Sequence, residues 1–305
     1  MYKKQNGVSE CMDYEMFIER ILILVSTELG SQFSVNRHYA KKNNDTLRCG
    51  VTIEEHNETT EGLKTVPTIY LEEYYSMYKA GYEISGIVHN IIQTYYECRH
   101  TISVSKGDFE LNRVKDKICF MLVNREINQN MLCSRPHRSF LDLAVIYYIY
   151  WFQDERGAAT VPINFDLLAK WGINEEDLWE LAYRNTRNIH SPSLKPMRAV
   201  LYEKTGRIYL DPAQMFVLSN VNNVYGLTSM IYEGTLQRIA TILQSSYYIF
   251  PSSIHECIIL ISNGNEDTDV LNEMVREINQ NEVEEEEIVA NHIYYYNMKQ
   301  NKIQY

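Results

Sequence analysis

Leu143-Ala-Val-Ile-Tyr-Tyr-Ile-Tyr-Trp-Phe152 is the longest apolar run of the chain, and its reading decides the fold. Its ten residues are about half of the roughly 20 that a membrane-spanning helix needs. β-Branched and aromatic residues crowd it, and neither face carries a charge. Leu141–Trp151 is therefore expected as a central strand whose neighbours cover both faces.

Working outward, Ile118–Val123 is a second strand of the same kind. Asn174 before Glu175, Glu176 and Asp177 marks a helix start, because an N-cap side chain and first-turn acids complement the exposed N–H groups. Leu178, Leu181, Ala182 and Ile189 form its inner side. Downstream, strands are expected at Met215–Leu218, Gly226–Tyr232, Tyr247–Phe250, Ile254–Ile261 and His292–Tyr296, with a helix at Thr235–Leu243. A further helix capped by Thr268 runs through Ile278, with Val270, Leu271, Met274, Val275 and Ile278 inward. The acidic run Glu282–Glu287 reads as a solvated helix start.

Toward the N-terminus, Tyr14, Phe17, Ile18, Ile21, Leu22, Val25 and Leu29 step by three and four, giving a helix that Gly30 ends. Phe33–Tyr39 and Leu47–Ile53 flank the polar Lys41–Asp45 turn as a hairpin. Thr68–Lys79 and Glu83–Cys98 carry helical spacing, with Gly81 between them. The interleaving is irregular and lacks repeated βαβ spacing. The fold class is α+β, a mixed and mainly antiparallel sheet packed by helices, with a smaller N-terminal α+β region. The polar stretch Ser103–Lys117 separates residues 1–104 from a C-terminal domain of residues 117–305.

The formal charge of −11 repels phosphate backbones and anionic lipid, which disfavours nucleic acid and membrane as partners. Six cysteines without a CxxC pair read as reduced core residues. Lys3 and Lys4 are followed by Glu10, Asp13, Glu15 and Glu19, and Ile21–Val25 is too short for a signal h-region, so a soluble protein of the cytoplasm is expected.

Four segments carry a resemblance: Pro67-Thr-Ile-Tyr-Leu-Glu72 with Gly81, Trp171-Gly-Ile173 with Ala182 and Asn185, Met215–Asn220 with Gly226, and Pro251-Ser-Ser-Ile-His-Glu256. Met274-Val275 and Asn279 extend it. Together they resemble the uncharacterised bacterial family catalogued as domain of unknown function 5688, from about Thr65 onward. Ser219 and Leu227 stand where Thr and Ala are expected. The resemblance implies an intracellular α+β protein and carries no activity.

The 13 glycines are dispersed, and neither GxGxxG nor GxxxxGK[ST] occurs, so those two nucleotide-cradling routes are closed. His255-Glu256 has no second His to complete a chelate, and Cys98 with His100 is one pair, so neither metal nor cofactor is expected. Arg135, His137 and Arg138 around Pro136 form a basic loop that suits phosphate or carboxylate; the alternative is ion pairing with acids such as Asp142. Replacing both arginines is expected to cost little, as surface charges do.

Tyrosine is the unusual residue, 24 against 9 Phe, with adjacent pairs at Tyr74-Tyr75, Tyr95-Tyr96, Tyr147-Tyr148 and Tyr247-Tyr248 and a run at Tyr294–Tyr296. Adjacent strand residues point to opposite faces, so one member of each pair is expected near solvent or a partner. The leading expectation is a non-catalytic intracellular interaction protein with an exposed tyrosine-rich surface and a protein partner. The alternative is a small-substrate hydrolase using Ser253 and His255, with Glu256 as a further candidate catalytic residue. Alternation on a strand would put Ser253, His255 and Cys257 on one face and Ser252, Ile254 and Glu256 on the other, so the acid would have to come from elsewhere.

Overall fold

A computed structural model describes residues 12–56, 63–64, 66–98, 103–104, 106–154, 157–209 and 215–305. Lys3, Lys4, Glu10, Cys11 and His100 lie outside the described residues. The chain divides into two compact units, one of residues 1–42 and 47–109, the other of residues 43–46 and 110–305.

In the first unit, Asp13 accepts the Met16 N–H at 2.8 Å and opens α1 (Tyr14–Leu29), which Gly30 ends at a φ of 81°. β1 (Phe33–Lys41) and β2 (Leu47–Glu55) form the expected hairpin, β3 (Leu63–Lys64) follows, and β4 (Thr68–Tyr70) adds to β2. The expected helix from Thr68 therefore starts later: Pro67 favours extended chain, and Thr, Ile and Tyr suit a pleated surface. α2 (Glu72–Lys79) and α3 (Ile84–Cys98) come next, and β5 (Ser103–Val104) pairs with β3. Phe17, Ile21 and Val25 of α1 share a core with Val51 and Ile53 of β2 and with Ile87 and Ile91 of α3.

The second unit begins with α4 (Leu111–Val114), β6 (Ile118–Asn124), α5 (Gln129–Leu132) and β7 (His137–Phe140). β8 (Leu143–Asp154) pairs with β6, β7 and β9 (Gly157–Pro162), always antiparallel. It is the central strand the sequence expects, buried from Leu143 through Ile149. α6 (Phe165–Trp171) and α7 (Glu175–Ile189) follow; Asn174 and Asp177 close a reciprocal capping box on α7.

Next come β10 (Pro192–Pro196), α8 (Met197–Thr205), β11 (Met215–Asn220), α9 (Thr235–Leu243), β12 (Tyr247–Ser253), β13 (Glu256–Ile261), α10 (Thr268–Asn281), β14 (Tyr294–Asn297) and β15 (Lys302–Gln304). They supply a six-stranded antiparallel sheet in the order β10-β11-β13-β12-β14-β15. The fold is α+β with antiparallel sheets. Among the described residues, no helix is long and apolar enough to cross a membrane.

Three expectations are corrected. Gly226–Tyr232 is no strand: Gly226–Met230 is a fully buried 3₁₀ turn, entered through Tyr225 at a φ of 50°. On α10 only Leu271, Val275 and Asn279 are buried, while Val270, Met274 and Ile278 face outward, and Asp267 rather than Thr268 is the cap. The strand pairs do not alternate between core and solvent: Tyr147, Tyr148, Tyr247 and Tyr248 are all buried, whereas on α3 Tyr95 is buried and Tyr96 exposed. At these positions β8 and β12 are covered on both faces, and several of the buried hydroxyls have hydrogen-bond partners. Tyr147 donates to Glu175, Tyr247 to the Leu236 carbonyl at 2.9 Å, and Tyr294 to Asp142 at 2.8 Å.

Tyr148 meets Nε2 of His190 at 3.3 Å, and Asn222 donates to Nδ1 of the same ring at 3.0 Å. The ring is fully buried, and burial lowers its pKa from 6.5 to about 4. An unfolded chain thus binds a proton that the native ring refuses. His190 withdraws stability as pH falls from about 6.5 toward about 4, and adds nothing to the pH dependence above that window. In an NMR titration, the His190 ring should stay neutral through pH 5; a midpoint near 6.5 would contradict this environment.

Candidate functional site

The second unit carries a cleft of about 550 Å³ on one face of its six-stranded sheet. Register explains its floor. Ser193 lies opposite Ser219, Lys195 opposite Val217, and Val217 opposite Ile258. Alternation then puts Ser193, Lys195, Val217, Ser219 and Glu256 on one face. Farther along that face Tyr248 and Phe250 lie under Leu271 and Val275 of α10. Val200, Glu203 and Lys204 of α8 form one wall, and His255, Ser253 and Glu287 the opposite one.

The second wall is built by a tight turn. Ser253 pairs with Glu256, with a bulge at Ser252, so Ile254-His255 is a two-residue β12–β13 turn rather than part of a strand. Ile-His carries none of the usual turn residues; serine hydroxyls supply the turn chemistry. Ser253 Oγ accepts the His255 backbone N–H at 3.0 Å, and Ser252 Oγ donates to the Glu256 carbonyl at 3.1 Å. The expected sharing of faces along Pro251–Ile261 fails for that reason.

Neighbours clamp this turn. Ser219 Oγ donates to the His255 carbonyl at 2.8 Å, the Leu227 N–H reaches the Ile254 carbonyl at 3.4 Å, and the Ile254 N–H donates to the Glu287 carbonyl at 3.0 Å. Gly226 lies in the crowd: a Cβ there would stand 2.2 Å from Ser219 Oγ and 2.4 Å from the His255 carbonyl oxygen. Only glycine allows this approach.

The His255 ring stacks on Tyr225, with centroids 5.4 Å apart and planes at 14°. Its Nδ1 accepts the Tyr225 backbone N–H at 3.1 Å, so the neutral ring carries its proton on Nε2, which faces Glu287 Oε1 at 3.7 Å. A carboxylate therefore stands behind His255, and the ring borders an open cleft. No serine hydroxyl among the described residues hydrogen-bonds to the ring; Ser253 and Ser219 are spent on backbone groups of the turn. Glu256 lines the cleft through its side chain.

Arg135, His137 and Arg138 lie elsewhere in the unit. Arg138 grips Glu175 through two nitrogens, each at 2.9 Å, bonds to Glu176 as well, and covers Trp179 with its guanidinium 4.8 Å from the ring centroid. Against the upward pull of burial, Arg138 and Tyr147 hold Glu175 below the usual carboxylate range. Arg138 thus ties β7 to the start of α7 through a two-nitrogen grip, a geometry in which a partly exposed pair can contribute more than a single surface charge. Its acids are Glu175 and Glu176; Asp142 instead meets His292 at 2.9 Å. Arg135 is half-buried, which lowers its pKa, and its carbonyl contacts His137 Nδ1 at 2.9 Å.

Sequence reasoning named Ser253, His255 and Glu256 but missed Lys195, Glu203 and Lys204, and absorbed Glu287 into an acidic run. The missed signal is the alternation of β10, readable only once its pairing with β11 is known. Among the described residues, no group of three or more His, Cys, Asp or Glu is placed to hold a metal ion.

A family model described as a family of unknown function, DUF5688, matches residues 14–298. The chain belongs to this family. No curated protein sequence and no solved structure matches it. Family segments quoted above meet at the cleft: Met215–Asn220, Gly226 and Pro251–Glu256 contribute Ser219, the glycine approach and the His255 turn. Replacing Gly226 by Ala should cost about 1–3 kcal/mol in denaturant unfolding and shift the His255 ring resonances; an unchanged unfolding midpoint would contradict the close approach.

Proposed function

We propose that this member of the family is a non-catalytic binding protein whose recognition surface is the sheet-face cleft. One observation carries the reading: the basic lone pair of His255 is directed at the Tyr225 N–H and away from any hydroxyl. A serine hydrolase needs that lone pair on its nucleophile. What the cleft offers instead is a polar floor, charges of both signs and a volume in the range of small-molecule sites. Among the described residues the exposed tyrosines are scattered along the chain rather than clustered in one run: Tyr39, Tyr82 and Tyr96 in the first unit, and Tyr202, Tyr209 and Tyr305 in the second. Buried thiols at Cys49, Cys119 and Cys257 suit a reducing, cytoplasmic setting.

Treating the full chain with a fluorophosphonate should leave its intact mass unchanged, and His255→Ala should turn over p-nitrophenyl esters no more slowly than wild type. A stoichiometric adduct on Ser253 that disappears in His255→Ala would overturn the reading in favour of a hydrolase.

A further inference from the structure

We propose that the cleft takes a zwitterion of amino-acid or dipeptide size, its ammonium toward Glu256 and Glu287 and its carboxylate toward Lys204. This rests on the reading of the cleft as a recognition site and adds the class of ligand.

On the shared face of the sheet, Lys195 sits in the row of Val217 and Ile258, and Glu256 lies two strands across and two residues along. With strands about 4.8 Å apart and a rise of about 3.4 Å per residue, their Cα atoms are roughly 12 Å apart. Val217 and Ser219 floor the space between them.

The two ends differ in sign. Lys195 is held by both carboxylate oxygens of Glu203, at 2.8 and 3.1 Å, so that pair is locally neutral. Lys204, one residue on, makes no ion pair among the described residues and leaves the α8 wall with an uncompensated cation. Opposite it, among the described residues, Glu256 makes no ion pair with a Lys or Arg, and Glu287 meets the His255 ring at 3.7 Å. That ring, with its Nδ1 turned to the Tyr225 N–H, presents an Nε2–H rather than a lone pair. The wall is therefore anionic.

A ligand with one charge would satisfy one wall and leave the other unanswered; a ligand with opposite charges at its two ends satisfies both. Size follows from the cleft itself, whose volume of about 550 Å³ admits a backbone of one or two residues. Neither wall requires covalent chemistry, in keeping with serines committed to the turn.

The test uses the full chain, with alanyl-alanine, its N-acetyl form, its C-terminal amide and a set of neutral and singly charged fragments, followed by the backbone NMR signals of Ser193, Asn223 and His255. Alanyl-alanine should shift these signals saturably, and each capped form should bind at least tenfold more weakly. In Glu256→Gln/Glu287→Gln the penalty for N-acetylation should vanish, and in Lys204→Gln the penalty for amidation should shrink. If capped and uncapped dipeptides bind alike, or if only neutral or singly charged fragments saturate the cleft, the zwitterion class falls while recognition at the cleft stands. If no compound shifts any cleft signal, both fall.

Discussion

At Gly226 the chain passes so close to the β12–β13 turn that a methyl group would stand 2.4 Å from the His255 carbonyl oxygen. This approach sets the site. It brings the Tyr225 N–H onto His255 Nδ1, the Leu227 N–H toward the Ile254 carbonyl, and Ser219 Oγ onto the His255 carbonyl. A turn made of Ile and His has little intrinsic preference for its shape, so its conformation comes from outside. The imidazole is oriented by backbone rather than by a nucleophile, and that orientation separates a receptor group from a general base.

The same economy of polar contacts runs through the core. Tyrosines fill much of the core, and the hydroxyls of Tyr147, Tyr148, Tyr247 and Tyr294 meet a carboxylate, an imidazole, a carbonyl and a carboxylate in turn. Burial pushes the Tyr147, Tyr247 and Tyr294 hydroxyls far above the ordinary tyrosine range, helped by the Glu175 carboxylate at Tyr147 and the Asp142 carboxylate at Tyr294. Asparagines close the irregular backbone. Asn185 donates to the carbonyls of Lys115 and Ile118, Asn220 binds the Val224 N–H and carbonyl, and Asn279 donates to the Ala290 carbonyl. An orphaned amide or carbonyl at such depth would cost about 1–3 kcal/mol, which gives these residues of the family segments a structural reason.

Much of the architecture was legible because period and caps speak locally. The α1 stripe, the β1–β2 hairpin, the buried β8 and the Asn174 capping box all follow from residues near one another. What stayed illegible depends on distant packing. Gly226–Met230 reads as an apolar strand until the Ser219–His255 contact shows why a glycine and a turn are needed. Val270, Met274 and Ile278 look like core until Leu271 and Val275 prove to be the face against the sheet. For the site, Ser253 and His255 were found together, yet as a turn hydrogen bond rather than a dyad. Lys195, Glu203 and Lys204 gave no signal, because nothing local says which strand β10 joins.

The claim that separates recognition from catalysis is the direction of one lone pair, and long-range ¹H–¹⁵N NMR of the imidazole reads it directly. At a pH where the ring is neutral, His255 should show a protonated Nε2 and an unprotonated, hydrogen-bonded Nδ1. A ring protonated on Nδ1, with its Nε2 lone pair open to the cleft, would contradict the account and restore His255 as a base.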